Sequence, residues 1–260
     1  MRCLSAVLIS MAVAACGDAT AQTSPPTRVP AQALAVADAK PAVAATPAVP
    51  AAARPTSSTA LDPDAGKDIG LVFEAFLSPH QEGDEEDATP KTTPAQFRST
   101  TPSQTRAERE AAGHRAHGQL RFSKDFSRVF VEVKLAGVKV DEINMFHIHC
   151  GKPGILGPIL LDFSMVTDLK SELADGTLSI EVRNEHIVKT SEHGHGLLAA
   201  FTAGCVIPSP SLGSVKPSKV STIAGMAQLA LDRELYFNLH TTGQTYYGDI
   251  RGQIHPVDPR

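Results

Sequence analysis

From Gly118 onward the chain is written in short runs that alternate apolar and polar residues and are closed by turn-forming residues, a period of two that makes strands the dominant element. Leu120 and Phe122 alternate with Gln119 and Arg121. Lys124-Asp125-Phe126-Ser127 turns the chain, and Val129, Val131, Val133 and Leu135 alternate back, giving a hairpin with one dry face. The runs INMFHIH (143–149), LGPILLDF (156–163) and TLSIEVR (177–183) follow, each bounded by Gly, Pro or Asp. LYFNLHT (235–241) and YGDIRGQI (247–254) close the pattern, joined by Thr242-Gly243-Gln244-Thr245. Upstream, IGLVFEAFLS (69–78) reads as a first strand that stops at Pro79. Short strands at this spacing predict an all-β fold, an antiparallel sandwich or barrel with long loops and one short helix over 223–232.

The start of the chain predicts export. Met1-Arg2 precedes an apolar run from Leu4 to Ala15, a signal peptide too short to span a bilayer as a helix. The run ends in Val13-Ala14-Ala15-Cys16, which is similar to the lipobox at which bacterial lipoproteins are cut and acylated, so Cys16 is the expected lipidation site. An ordinary secretory signal cut near Ala15 is the alternative. Residues 16–66 are then an Ala/Pro-rich lipidated tether that cannot bury enough surface to offset its ordering entropy. The folded unit is expected over 67–258, in the cell envelope, anchored by lipid at the outer membrane facing the periplasm or at the cell surface. Gly17 and Asp18 after the cut carry no evident signal for inner-membrane retention.

Within the folded unit, residues from about 80 to 112 collect Glu82, Asp84, Glu85, Glu86 and Asp87 among Thr, Pro and Ser, and read as a long solvated acidic insertion. The EF-hand spacing and its glycine are absent. A formal charge of −4 supplies no basic field for nucleic acid. Of the four cysteines, Cys3 leaves with the signal and Cys16 takes the lipid, so Cys150 and Cys205 are the pair available for a disulfide in an oxidising compartment. A metal thiolate at Cys150, beside His149, is the rival role.

The stretch FHIHCGKPGILGPILLDF, together with NLHTTGQTYYGDIRGQI, resembles the CHRD (chordin-type) domain family. The matching residues are His147, Ile148, His149, Gly151, Gly154, Gly157 and Pro158, then Tyr236, Asn238, His240, Thr241, Gly248, Ile250, Arg251, Gly252 and Gln253. The acidic insertion and the stretch between 184 and 222 depart from the family pattern. The resemblance implies a β scaffold, and through chordin it gives precedent for a protein- or polysaccharide-binding module. The HIH strand also looks like the copper-binding strands of Cu/Zn superoxide dismutase.

Alternation puts Phe146, Ile148 and Cys150 on one face of their strand and His147 and His149 on the other, and in the late strand it puts Tyr236, Asn238 and His240 opposite Phe237 and Leu239. With the apolar set inward, the imidazoles are expected on the outer face, where His147, His149 and His240 converge if the two strands are neighbours. Neutral imidazole suits copper or zinc. His117 and His195 are further candidate ligands, with His114 and His193 behind them. The bland alternative is that these histidines only bond backbone carbonyls and pin loops. Three functions therefore stand open: an extracytoplasmic copper- or zinc-binding protein, a non-enzymatic adhesion module, and a superoxide-dismutase-like enzyme. The last lacks a clear second metal site with a bridging histidine. No Gly-x-Ser-x-Gly elbow or phosphate-cradling glycine loop is present, and no catalytic residue is assigned. Asp249 and Arg251 read as an outward ion pair on the last strand.

Overall fold

A computed structural model describes residues 61–193, 204–205 and 219–257. Cys16, His195 and the expected signal and tether up to residue 60 lie outside the described residues. Among the described residues nine strands form two sheets. They are β1 (Ile69–Leu77), β2 (Arg115–Ser123), β3 (Val129–Ala136), β4 (Ile143–Cys150), β5 (Ile159–Asp162), β6 (Thr177–Val182), β7 (Leu235–Thr241), β8 (Ile250–Gln253) and β9 (His255–Pro256). The five-stranded sheet runs β6-β3-β2-β1-β9 and the four-stranded sheet β5-β4-β7-β8, with every pairing antiparallel. Of the sandwich or barrel expected, the sandwich is the observed architecture.

The predicted dry faces meet in the middle. Phe73, Leu77, Leu120, Phe122, Val129, Val131 and Val133 of one sheet pack with Phe146, Ile148, Leu161, Phe237, Leu239 and Ile250 of the other. Each pairs its neighbour in a register that keeps the apolar set on one side, as with Phe146 opposite Leu239 and Ile148 opposite both Leu161 and Phe237. Phe146 lies 4.8 Å from the Phe163 ring and 5.9 Å from that of Phe237, centroid to centroid, forming an aromatic centre.

Four α-helices are present among the described residues where the sequence predicted one: α1 (Arg106–Ala111), α2 (Leu169–Glu172), α3 (Asn184–His193) and α4 (Ile223–Leu231). Helix α4 is the expected one, capped by the Thr222 hydroxyl, which accepts from Gly225 N–H at 3.1 Å. Helix α1 carries a capping box, Thr105 with Glu108, a start signal legible in the sequence. Helix α3 lies against β5 and buries Ile187 and Thr190.

The acidic insertion is solvated only in part: Asp84 and Asp87 are exposed, but two of its acids are not. Glu82 and Glu86 are buried, and Arg109 is wholly so. The Glu86 carboxylate accepts from Tyr246 N–H (3.0 Å), Tyr247 N–H (3.1 Å) and the Ser99 hydroxyl (2.7 Å). Ser99 in turn accepts from Thr245 N–H at 3.1 Å, and Gln244 donates to Gln104 O at 2.6 Å. The insertion is thereby stitched to the β7–β8 turn, and the Glu86 carboxylate is buried because backbone N–H groups and a hydroxyl replace its water. The donors of that turn stand about 140–160 residues away in sequence, which is why composition alone reads the segment as exposed.

Cys150 at the end of β4 and Cys205 have Cα atoms 6.0 Å apart, within disulfide reach, and are bonded across 55 residues of chain. Gly204 N–H donates to Ile159 O and Val220 N–H to Cys205 O, so this short segment crosses the edge at β5. Replacing Cys205 with Ser is expected to destabilise the folded unit by about 2–4 kcal/mol. Urea denaturation of the variant beside the oxidised parent checks it; an unchanged midpoint would mean that the pair is not bonded in the purified protein.

Candidate metal centre

Strands β4 and β7 are neighbours, and the register places His147 opposite Asn238, His149 opposite Tyr236 and Met145 opposite His240. Residues opposite one another in an antiparallel pair share a face, so the three histidines stand together on the side of the sheet away from Phe146 and Ile148. One ring nitrogen of each lies within 4.8 Å of the others. The ring centroids of His147 and His149 are 5.3 Å apart, as are those of His147 and His240.

The sequence-based expectation of a solvent-facing site fails in one respect. His147, His149 and His240 are 3%, 6% and 4% exposed. Their side of the sheet is a second, polar interior, formed under the turns that bond to the rings. His149 Nδ1 donates to Gly157 O at 2.9 Å and His240 Nδ1 to Thr245 O at 3.0 Å. These bonds fix the tautomers and leave each Nε2 with its lone pair directed inward. Neither Nε2 has a partner, and neither has His147 Nδ1. His147 Nε2 instead faces the Asp162 carboxylate at 3.8 Å. Asp162 N–H donates to the Thr190 hydroxyl at 3.0 Å, so α3 steadies that acid.

Glycine is required where the first of these turns closes. A Cβ on Gly157 would collide with Cys150 O, and Gly157 N–H donates to the Tyr236 hydroxyl at 3.0 Å while its carbonyl holds His149. The Tyr236 ring stacks on His149 at 5.0 Å, and the Arg251 guanidinium lies 3.5 Å over the Tyr236 ring.

Burial pushes His149 down to about 3 and His240 down to about 4, in both cases against the carbonyl each ring bonds. Burial, then the neighbouring His240 and His149 rings, holds His147 well below the usual imidazole range. All three are neutral at pH 7 and present lone pairs, the state in which imidazole binds a transition metal. Alongside them burial lifts Glu82 up to about 8, opposed by Arg251 and Arg109. Gly248, at φ +108°, brings its backbone against Asn238 Oδ1 and Glu82 Oε1. Neither oxygen has a hydrogen-bond partner.

The other candidates lie elsewhere. His114 is buried, with Nδ1 2.6 Å from Asp249 Oδ1, and Thr241 Oγ1 donates to the second Asp249 oxygen at 3.1 Å. This is a clamp between the segment leading into β2 and the approach to β8. His117 is on the five-stranded sheet, 3.1 Å from Glu74 and stacked on the exposed Phe76 at 4.6 Å. His193 ends α3 and is outside the cluster, while His195 lies outside the described residues. The expected outward ion pair of Asp249 and Arg251 is absent: both are 2% exposed, Asp249 holds His114, and Arg251 donates to Lys152 O at 3.0 Å. Alternation placed them outward from the core correctly but could not show that this side is itself covered. Sequence reasoning passed over Asp162 and the Gly157 and Thr245 carbonyls. Asp162, an acid at the end of the apolar run ILL, was the one available signal.

The family model for the CHRD domain matches residues 73–254. No curated protein and no solved structure matches the chain.

The titrations fix a sign for stability. A histidine lowered on folding contributes stability that is fully present above its unfolded value of 6.5 and is lost as pH falls through its folded value. Glu82, raised from 4.5 to about 8, contributes stability that is present below 4.5 and lost as pH rises toward 8. The metal-free protein is therefore expected to be most stable near pH 6.5 and to weaken steeply toward pH 4, where three histidines outweigh one carboxyl. Urea midpoints between pH 8 and 4 check it; midpoints that rise steadily down to pH 4.5 would contradict the burial of neutral imidazoles.

Proposed function

The chain belongs to the CHRD domain family, and from that premise we propose that it is an extracytoplasmic, lipid-anchored protein that holds one copper or zinc ion on His147, His149 and His240. The observation that carries this reading is that three buried histidines bring one ring nitrogen each within 4.8 Å of the others, and that each keeps a nitrogen, His147 Nδ1, His149 Nε2 and His240 Nε2, without a hydrogen-bond partner. Leaving such groups unsatisfied costs about 1–3 kcal/mol each. A single cation accepts all three lone pairs at once.

The surroundings fit the same role. Metal-bound imidazoles commonly donate their other nitrogen to a carbonyl or carboxylate, and here Gly157 O, Thr245 O and Asp162 stand in those positions. The near-complete burial of the ligands favours retention of an ion over turnover of a diffusible substrate, so a holding or handling function is preferred to a superoxide-dismutase-like one. Among the described residues no helix is long and apolar enough to cross a membrane, and attachment is assigned to the lipid on Cys16. An adhesion module built on the same scaffold is the second function; a protein or polysaccharide partner retained after chelation would favour it.

Titration calorimetry of the tag-free protein with Cu(II) and with Zn(II) tests the proposal. One site per chain is expected for the parent. The double variant H147A/H149A is expected to lose it, and H117A is expected to bind as the parent does. No heat of binding from the parent would end the metal reading. Asp162→Asn is expected to keep the site and weaken it by roughly 10–100-fold, as loss of an orienting partner does elsewhere; unchanged affinity in a competition assay would assign the Asp162 carboxylate to its cap of Ser164 alone.

A further inference from the structure

Three imidazoles leave one position of a four-coordinate ion to be filled, and the histidine face of the sheet offers few donors for it. Asp162 turns one carboxylate oxygen to His147 Nε2, not to the unpartnered Nδ1, and its other oxygen accepts from Ser164 N–H and the Ser164 hydroxyl at 2.9 and 2.7 Å. Tyr236 is tied through its hydroxyl to Gly157 N–H and lies under the Arg251 guanidinium. Asn238 donates to Tyr247 O at 3.0 Å and turns its oxygen toward Gly248 and Glu82. Met145 remains.

Met145 is two residues before His147 on β4 and directly opposite His240 on β7, so its side chain is on the histidine face. It is half-buried and takes no part in the hydrophobic core, unlike its neighbours Ile143 and Phe146. A core role therefore does not account for it. Opposite Cα atoms in an antiparallel pair are about 4.5–5.5 Å apart. The long, unbranched thioether spans that interval with freely turning bonds.

We infer that Met145 supplies a thioether as the fourth ligand and makes this a copper(I) site. This deepens the metal reading above and rests on it. Zinc gains little from a thioether, whereas the soft cuprous ion prefers sulfur, so the donor set of three imidazoles and one methionine discriminates between the two ions. The half-buried position also sets Met145 at the edge of the covered layer, where an arriving ion would meet it before the histidines.

The test compares the parent with Met145→Leu, a change of similar volume at a position outside the core. Cu(I) affinity is measured by competition with a chromophoric cuprous chelator under reducing, oxygen-free conditions, and Zn(II) affinity with a zinc-responsive dye. A loss of about tenfold or more for Cu(I), with Zn(II) changed by less than about threefold, supports the inference. Equal Cu(I) affinities for parent and variant overturn it while leaving the histidine site intact. If the parent binds neither ion, the histidine site falls and this inference with it. X-ray absorption of the copper-loaded parent gives a reading that needs no variant: a sulfur scatterer in the first shell supports Met145, and a shell of nitrogen and oxygen alone overturns it.

Discussion

Two backbone carbonyls, Gly157 O and Thr245 O, determine what this face of the sandwich can do. By taking the Nδ1 protons of His149 and His240 they leave both buried Nε2 atoms unprotonated, in one cluster with His147, whose Nδ1 is likewise unpartnered. Each carbonyl belongs to a turn that other parts of the fold contact directly. Gly157 sits where only a glycine fits against Cys150 O, and the Cys150–Cys205 pair closes the same end of β4. Thr245 belongs to the turn whose N–H groups are gathered by Glu86 and Ser99 of the insertion.

The insertion is therefore part of the site's construction although it contributes no candidate ligand. Three of its acids are engaged within the fold. Glu86 is consumed by backbone donors, Glu85 by Arg109 (3.0 Å) and by Arg106 N–H (2.9 Å), and Glu82 is held in its neutral form by burial. The sandwich thus has two interiors. The apolar one between the sheets supplies most of the folding free energy through burial of aromatic and aliphatic surface. The polar one, over the outer side of the four-stranded sheet, is arranged by hydrogen bonds and keeps three neutral imidazoles out of water.

The sequence made the first interior legible and the second only in part. The strict alternation around Val129, Val131 and Val133 and around Phe146 and Ile148 can be satisfied only by strands with one buried face, so the strands and the core followed from it. The same alternation separated His147 and His149 from the core and put His240 with them, because a period of two is all that this inference needs. Whether the other side meets water depends on Glu86 finding Tyr246 and Tyr247, a pairing across 160 residues that no local pattern encodes. Helix α3 was likewise missed, because its fit against β5 comes from Ile187 and Thr190 within an otherwise polar stretch. Histidine surplus misled in one direction: His114 and His117 read as ligands, yet one clamps Asp249 and the other stacks on Phe76 in the opposite sheet.

The central claim is that the three unpartnered nitrogens share one ion. Anomalous diffraction from crystals grown with copper or zinc, collected on either side of the metal edge, tests it most directly. The account predicts a single strong peak within bonding distance of His147 Nδ1, His149 Nε2 and His240 Nε2. A metal-loaded crystal with no peak there, or with the three rings turned to bond one another and the surrounding backbone, would contradict it.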